Sequence, residues 1–124
     1  MASILVIDDD PDILTIVRRY LESSGHEIDL ALSGSDGLES FRKRAHDLII
    51  TDIFMPKQSG LTIIQEIRRI DSNVKIIAFS GGNEAIGMGK FMLRAAEEAG
   101  AAGTLEKPFT REELVSSVEE ALSS

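Results

Sequence analysis

The chain has 124 residues, which is enough for one domain and too few for two. It contains no cysteine, which excludes disulfides and thiolate chemistry and suits a reducing cytoplasm. A formal charge of −8 argues against direct binding to nucleic acid, and the apolar runs are too short to span a membrane.

The first half of the chain alternates between strand-like and helix-like stretches. Residues 3–7 form an apolar run that predicts a buried strand. Asp10 followed by Pro11 predicts a helix start, because Asp caps helices and Pro fits their first turn. Gly25 stops that helix, and residues 27–31 predict an edge strand. A second helix is predicted from Ser33, with Leu38, Phe41 and Ala45 on its apolar side, and a third strand over residues 47–51.

The second half repeats this alternation. After a loop over residues 55–59, Ser59 can cap a third helix, and residues 74–79 predict the fourth strand. Gly100 ends a fourth helix, and residues 102–105 predict the last strand. A capping box of Thr110 and Glu113 begins the fifth helix. The apolar positions are Ile63, Ile64, Ile67 and Ile70 in the third helix, Phe91, Met92, Ala95, Ala96 and Ala99 in the fourth, and Leu114, Val115, Val118 and Leu122 in the fifth.

Five strand–helix repeats in a row predict an α/β fold. Such alternation implies a parallel sheet with helices on both faces, in three layers. The connections are short, and no linker or low-complexity tract divides the chain. Residues 1–124 are therefore expected to form a single domain.

Polar side chains stand where four of the predicted strands end. Asp8 and Asp9 follow the first strand, Asp52 the third, Ser80 the fourth and Lys107 the last. The carboxyl ends of parallel strands meet at one edge of the sheet, where open α/β sheets build their sites. Three carboxylates, a hydroxyl and an ammonium at that edge predict a metal-dependent phosphoryl site.

The carboxylates suggest both a metal ion and a nucleophile. Two negative charges about 4 Å apart repel by roughly 4 kcal/mol at an effective dielectric of about 20. An all-oxygen site relieves this repulsion with Mg²⁺ or Mn²⁺ rather than zinc. A carboxylate can also attack phosphorus and form an aspartyl phosphate, whose oxygens Lys107 and Ser80 would stabilise. Composition does not decide which aspartate attacks, and Asp52 is favoured because it ends a predicted central strand.

Four motifs follow one another along the chain: Asp8-Asp9, the stretch Thr51-Asp52-Ile53-Phe54-Met55-Pro56 with Ser59-Gly60 behind it, Ser80 at a strand end, and Lys107-Pro108-Phe109. In this order they resemble the receiver domain of bacterial two-component response regulators. The resemblance covers residues 4–122 and implies a flavodoxin-like (βα)5 sheet with the strand order 2-1-3-4-5. It also implies a stand-alone receiver, or one excised from a larger protein.

The resemblance implies which atoms would hold the metal and the phosphoryl group. Asp52 would be the phosphoacceptor. Asp9, Asp52 and the backbone carbonyl of Phe54 would ligate Mg²⁺, with Asp8 acting through water. Lys107 would pair with the acyl phosphate.

The resemblance also implies a switch and its partners. Ser80 would swing to hydrogen-bond the phosphoryl group and couple it to the following segment. The phosphoryl donor would be a sensor histidine kinase or a histidine phosphotransfer protein. An unidentified downstream protein would bind through residues 81–107. Lys107-Pro108 is expected to be a cis peptide, which aims the lysine in this family.

Three features depart from the usual receiver pattern. Thr104 stands where the family often has an aromatic residue, so a large ring is not available to rotate inward. Phe54 is bulky and apolar where polar residues are common. The span from Ser80 to Lys107 is longer than usual, and its extra residues fall in a glycine-rich stretch over residues 82–89. We therefore expect the switch to act chiefly through residues 81–92.

Other functions are less compatible with these residues. A phosphatase with an aspartate nucleophile would need a second aspartate where Phe54 stands. An interaction module with an unused acidic site would not need all five polar residues, and a flavin phosphate would be repelled by Asp8-Asp9-Asp10. His26 and His46 are expected to face solvent or to lie in turns. The chain is thus predicted to be a signalling phosphoacceptor that assists its own phosphorylation and dephosphorylation, rather than an enzyme.

Overall fold

The computed structural model describes residues 2–55, 60–80 and 94–123. In these ranges, five parallel strands form one sheet in the order β2-β1-β3-β4-β5, which confirms the expected fold class. The strands are β1 (Ser3–Ile7), β2 (Glu27–Ala31), β3 (Leu48–Asp52), β4 (Lys75–Ser80) and β5 (Gly103–Glu106). The helices are α1 (Pro11–Glu22), α2 (Gly34–Lys43), α3 (Gly60–Ile70), α4, described over residues 94–98, and α5 (Arg111–Ser123).

Two apolar cores lie on opposite faces of the sheet. Helices α1 and α5 pack on one face, and α2, α3 and α4 pack on the other. Strand β1 contributes to both, because Ile4 and Val6 point to the first core while Leu5 and Ile7 point to the second. All four side chains are fully buried, as expected for a central strand covered on both sides.

The helix starts follow the predicted capping chemistry. The Asp10 side chain accepts a hydrogen bond of 2.9 Å from the N–H of Asp12, and Pro11 is the first residue of α1. At α5, the Thr110 hydroxyl oxygen accepts from the N–H of Glu113, whose carboxylate accepts from the N–H of Thr110. These caps place the helix N-termini beside the strand ends that carry the site.

Some predictions are corrected by the structure, and some fall outside its described residues. Helix α2 ends at Lys43, so Ala45 lies beyond it and is exposed rather than on an apolar helix face. The proposed cap Ser59, the loop before it and the glycine-rich stretch with Phe91 and Met92 lie outside the described residues, apart from Met55. Within the described ranges, no helix combines the length and apolar character that crossing a bilayer would need.

His46 lies in the connection before β3, but it is buried and not solvent-facing. Its Nε2 lies 2.7 Å from the carboxylate of Asp29 in β2, and its ring stacks on Phe41 with centroids 6.0 Å apart. Arg44 also contacts Asp29, at 3.5 Å. The solvent-facing alternative for His46 is therefore wrong, because an edge-strand carboxylate and an α2 ring enclose it, although the residue does lie in a connection between two elements.

Candidate functional site

The end of β1 places two aspartates in different environments. Asp8 is fully buried, and its N–H donates to the carbonyl of Ala31, which extends the β1–β2 pairing by one residue. The Asp8 carboxylate accepts a hydrogen bond of 2.9 Å from the N–H of Asp10. Asp9 is exposed. Asp8 therefore lies at the buried base of the site, and Asp9 lies at its solvent-exposed edge.

Asp52 is the last residue of β3, between β1 and β4, and is only 4% exposed. Its Oδ1 accepts a hydrogen bond of 2.7 Å from the N–H of Phe54, which orients the carboxylate. Gly60 lies behind the backbone here, because a Cβ at that position would come within 2.3 Å of the Asp52 carbonyl oxygen. The absence of a side chain at Gly60 thus allows α3 to begin against the acceptor strand.

Lys107 joins the two buried carboxylates. Its Nζ lies 2.6 Å from Asp8 Oδ2 and 2.7 Å from Asp52 Oδ2. These are charge-assisted hydrogen bonds in a largely buried setting, where the lysine side chain is 14% exposed. The Lys107-Pro108 peptide is cis, as predicted.

The ionisation of these groups reflects competition between burial and pairing. Burial raises the pKa of Asp8 from 3.8 to about 6, although hydrogen bonds from Lys107 and the N–H of Asp10 act in the opposite direction. Burial lowers the pKa of Lys107, but the bonds to Asp52 and Asp8 outweigh it and leave that pKa above its ordinary value. The ammonium therefore remains charged at neutral pH.

The donor set fits a divalent cation bound by oxygen. Asp8, Asp9 and Asp52 each offer a carboxylate oxygen, and these atoms lie within 4.8 Å of one another. Three carboxylates and the Lys107 ammonium leave two negative charges in excess when all are ionised. Hard oxygen donors with this charge match Mg²⁺ or Mn²⁺ better than softer metals.

Ser80 is the last residue of β4 and is 1% exposed. It lies in the strand next to the acceptor strand and pairs in register with Glu106 of β5. Thr104, the position without an aromatic ring, pairs with Ala78 and is half-buried. The structure thus brings Asp8, Asp9, Asp52 and Lys107 together and places Ser80 in the adjoining strand.

The sequence analysis did not predict the role of Phe79. This residue pairs in register with Asp52, is fully buried, and presents its ring to the Lys107 ammonium at 5.8 Å from the centroid. Its ring also lies 5.1 Å from that of Phe109. The sequence shows that an apolar residue precedes Ser80 in the predicted strand. The alternation of residues along a strand does not reveal that the ring of this residue contacts Lys107 and Phe109.

Comparison with protein families identifies the chain. A model of the response regulator receiver domain matches residues 4–119. The chain belongs to this family. It is 41% identical over 123 residues to the DNA-binding transcriptional regulator NtrC of Azospirillum brasilense, covering 99% of this chain and 24% of NtrC. It is 34% identical over 119 residues to the transcriptional regulatory protein PrrA of Mycobacterium tuberculosis, covering 96% of this chain and 49% of PrrA.

A solved receiver structure has the same architecture. The response regulator receiver domain protein of Clostridium thermocellum superposes with a TM-score of 0.89 at 34% identity, covering 99% of this chain and 95% of that one. The curated relatives are longer, and this receiver spans about a quarter of NtrC and half of PrrA. Receiver domains are phosphoacceptor switches of two-component systems, phosphorylated by histidine kinases and signalling to output domains.

Proposed function

We propose that Asp52 is the residue that accepts the phosphoryl group and that acceptance depends on Mg²⁺. The observation that carries this proposal is the 2.7 Å contact between the Lys107 ammonium and the Asp52 carboxylate. Asp52 is also the last residue of β3 at the edge of the sheet where such sites form. An oxygen nucleophile beside a fixed cation matches the needs of phosphoryl transfer.

In the proposed reaction, an Asp52 carboxylate oxygen forms a bond to phosphorus while the bond from phosphorus to the donor breaks. With a phosphohistidine donor, the imidazole nitrogen leaves with the electron pair of the phosphorus–nitrogen bond. Lys107 pairs with a phosphoryl oxygen, and Ser80 donates a hydroxyl hydrogen bond to another. Asp9, Asp52 and the backbone carbonyl of Phe54 would hold Mg²⁺, with Asp8 acting through water, and the bound ion would supply positive charge to the phosphoryl oxygens.

The partners follow from this chemistry. The proposed donor is a sensor histidine kinase or a histidine phosphotransfer protein. The proposed output is an unidentified protein that binds through residues 81–107, without direct contact to nucleic acid or membrane. The charge of −8 supports the exclusion of nucleic acid as a partner of this domain. A cytoplasmic location stays a prediction.

We also propose that the chain is not a turnover phosphatase. Phe54 occupies the position of the general acid in phosphatases with an aspartate nucleophile, and a phenyl ring carries no transferable proton. Its backbone N–H already donates to Asp52. The acyl phosphate should therefore persist as a signal and not be discharged in a multiple-turnover cycle.

The deciding experiment is incubation with acetyl phosphate and Mg²⁺, followed by intact-mass measurement. The wild-type protein should gain the mass of one phosphoryl group, and Asp52→Asn should gain none. Asp36→Asn, which removes an exposed carboxylate on α2, is the matched control and should behave as wild type. A mass gain that survives Asp52→Asn, or that appears equally in excess chelator, would show the proposal to be wrong.

A further inference from the structure

Phe79 occupies a junction in the sheet that links the acceptor strand to the lysine segment. It pairs in register with Asp52 on one side and with Leu105 on the other. The next residue, Ser80, accepts a hydrogen bond of 2.7 Å from the N–H of Lys107. Phe79 in β4 therefore pairs with both neighbouring strands, β3 and β5, and only β1 among the strands that carry site residues is not its neighbour.

The Phe79 ring meets two parts of the lysine segment. Its centroid lies 5.1 Å from that of Phe109, at an interplanar angle of 32°. The Lys107 Nζ lies 5.8 Å from the same Phe79 centroid, within the range of a cation–π interaction. The buried Phe79 ring thus packs against Phe109 and also faces the ammonium of Lys107.

An ammonium at the end of a four-carbon stem needs such a support. The Lys107 side chain carries three N–H donors, and Asp8 and Asp52 account for two of them among the described residues. The face of the fully buried Phe79 ring offers the remaining side of the largely buried ammonium a favourable electrostatic surface. A rotamer-rich side chain held on three sides loses its freedom before the phosphoryl group arrives.

We propose that Phe79 and Phe109 form a positioning pair for Lys107, which holds the ammonium where it reaches Asp8 and Asp52 together. This inference rests on the proposed role of Lys107 at the phosphoryl group. Phe79 and Phe109 do not touch the reacting atoms in this scheme and act only through Lys107. The contribution of Phe79 and Phe109 to binding of a phosphoryl group or its mimic should consequently disappear when the Lys107 ammonium is absent.

A double-mutant cycle tests this dependence. The measured quantity is the dissociation constant of beryllofluoride in the presence of Mg²⁺, for Phe79→Leu and Lys107→Met alone and combined. Phe79→Leu keeps an apolar side chain but removes the ring face, and should weaken binding by about three- to tenfold, which lies between the effects of an exposed and of a fully desolvated cation–π contact. In the Lys107→Met background the same change should alter binding less than twofold.

A matched control separates positioning from general loss of packing. Phe41→Leu is the same substitution at a buried ring of α2, which stacks on His46 in the other core. It should leave beryllofluoride binding within twofold of wild type. Equal losses from Phe79→Leu in the wild-type and Lys107→Met backgrounds would overturn the proposal.

A second experiment needs no phosphoryl chemistry. The metal-free protein is treated with a limiting amount of an N-hydroxysuccinimide ester, and acylation of Lys107 is measured by peptide mass relative to the exposed Lys43. Phe79→Leu should raise the relative rate at Lys107 threefold or more, and Phe41→Leu should not. An unchanged rate in Phe79→Leu would refute the positioning role. Failure of the wild type to bind beryllofluoride would instead refute the proposed function, while the acylation rates would still decide this inference.

Discussion

The backbone N–H of Lys107 donates a hydrogen bond of 2.7 Å to the carbonyl of Ser80. The residue after β5 is therefore tied to the last residue of β4, and the Ser80 backbone is fixed beside the site. The hydroxyl of Ser80 can still rotate about its single side-chain torsion. Any response of Ser80 to a phosphoryl group should accordingly begin with its side chain.

Replacing Ser80 with alanine should weaken beryllofluoride binding by about tenfold, because a hydrogen bond to a charged group contributes about 1.5 kcal/mol or more. Ser80→Thr keeps the hydroxyl and should bind within a few-fold of wild type. Isothermal titration in Mg²⁺ measures both. Equal affinities for Ser80→Ala and wild type would mean that the hydroxyl does not reach the bound group.

Gly60→Ala should destabilise the protein by about 2–3 kcal/mol, the cost of forcing an extra methyl group into a packed site. The added Cβ would lie 2.3 Å from the Asp52 carbonyl oxygen and 2.4 Å from Ile53 Cα, and neither backbone atom can move without shifting the acceptor. Urea unfolding measures the loss, and phosphorylation by acetyl phosphate should also slow.

Gly103→Ala is the control for that substitution. A Cβ there meets Ser117 Oγ at 3.6 Å and Ile77 Cγ1 at 3.7 Å, which are ordinary contacts. This variant should be neutral or up to about 1 kcal/mol more stable, since alanine reduces the entropy of the unfolded chain. Equal destabilisation at Gly60 and Gly103 would contradict the proposed steric cause.

Asp8→Asn should change how stability depends on pH in the metal-free protein. The pKa of Asp8 rises from 3.8 to about 6 on folding, so between these values the folded chain retains a proton that the unfolded chain has released. The free energy of unfolding should then fall as pH rises through this window, by up to about 3 kcal/mol for this group.

Denaturant unfolding in excess chelator at pH values between 4 and 7 measures this effect as the difference between wild type and Asp8→Asn. The variant has no such carboxyl group, so its free energy of unfolding relative to that of the wild type should increase as pH rises from 4 to 7. Parallel curves for the two proteins across the window would argue that Asp8 does not carry the raised pKa.

The pattern of apolar residues predicted the order and type of the described elements, but not where the sheet hydrogen bonding stops. Strands predicted to end at residues 51, 79 and 105 end one residue later, at Asp52, Ser80 and Glu106. Hydrogen bonding continues because the N–H of Ile53 donates to the carbonyl of Phe79, beyond the apolar run of β3. The spacing of apolar residues indicates which side chains are buried, but it does not indicate which group each backbone N–H bonds. The exact ends of the strands can therefore be assigned only from the hydrogen bonds of the folded sheet.

The motifs predicted the polar residues of the site, but they did not predict the contacts between residues that are far apart in the sequence. Asp8 and Lys107 are 99 positions apart, and only the sheet order brings their side chains to 2.6 Å. Burial of His46 depends similarly on Asp29, an edge-strand residue 17 positions away. Nothing local to His46 distinguishes it from a solvent-facing histidine.

Arg68 should be more important for stability than its neighbour Arg69. The Arg68 guanidinium donates to the carbonyls of Ser72, Val74 and Gly100, and so connects the end of α3 to the turn after α4. Burial lowers the pKa of this guanidinium below its ordinary value. Arg68→Met should cost about 1–2 kcal/mol, because the buried Val74 carbonyl loses its donor.

Arg69→Met is the matched control, since Arg69 is exposed and pairs with Glu66 at 3.0 Å on the helix surface. Its effect should stay within about 0.5 kcal/mol. Urea unfolding of both variants tests the difference, and hydrogen exchange should quicken at Ala101 and Ala102 only in Arg68→Met. A comparable loss in both variants would contradict the connecting role of Arg68.

Phosphorylation should be transmitted mainly to residues 81–92, which lie outside the described part of the structure. A phosphoryl group adds about −1.5 to −2 charges, and Ser80, which would hydrogen-bond it, is followed directly by this segment. Thr104 provides no ring to rotate, and it is paired with Ala78 within the sheet. Hydrogen exchange with and without beryllofluoride should therefore change over residues 81–92. Changes around Thr104 and α5, with residues 81–92 unaltered, would show that the signal travels through the last strand instead.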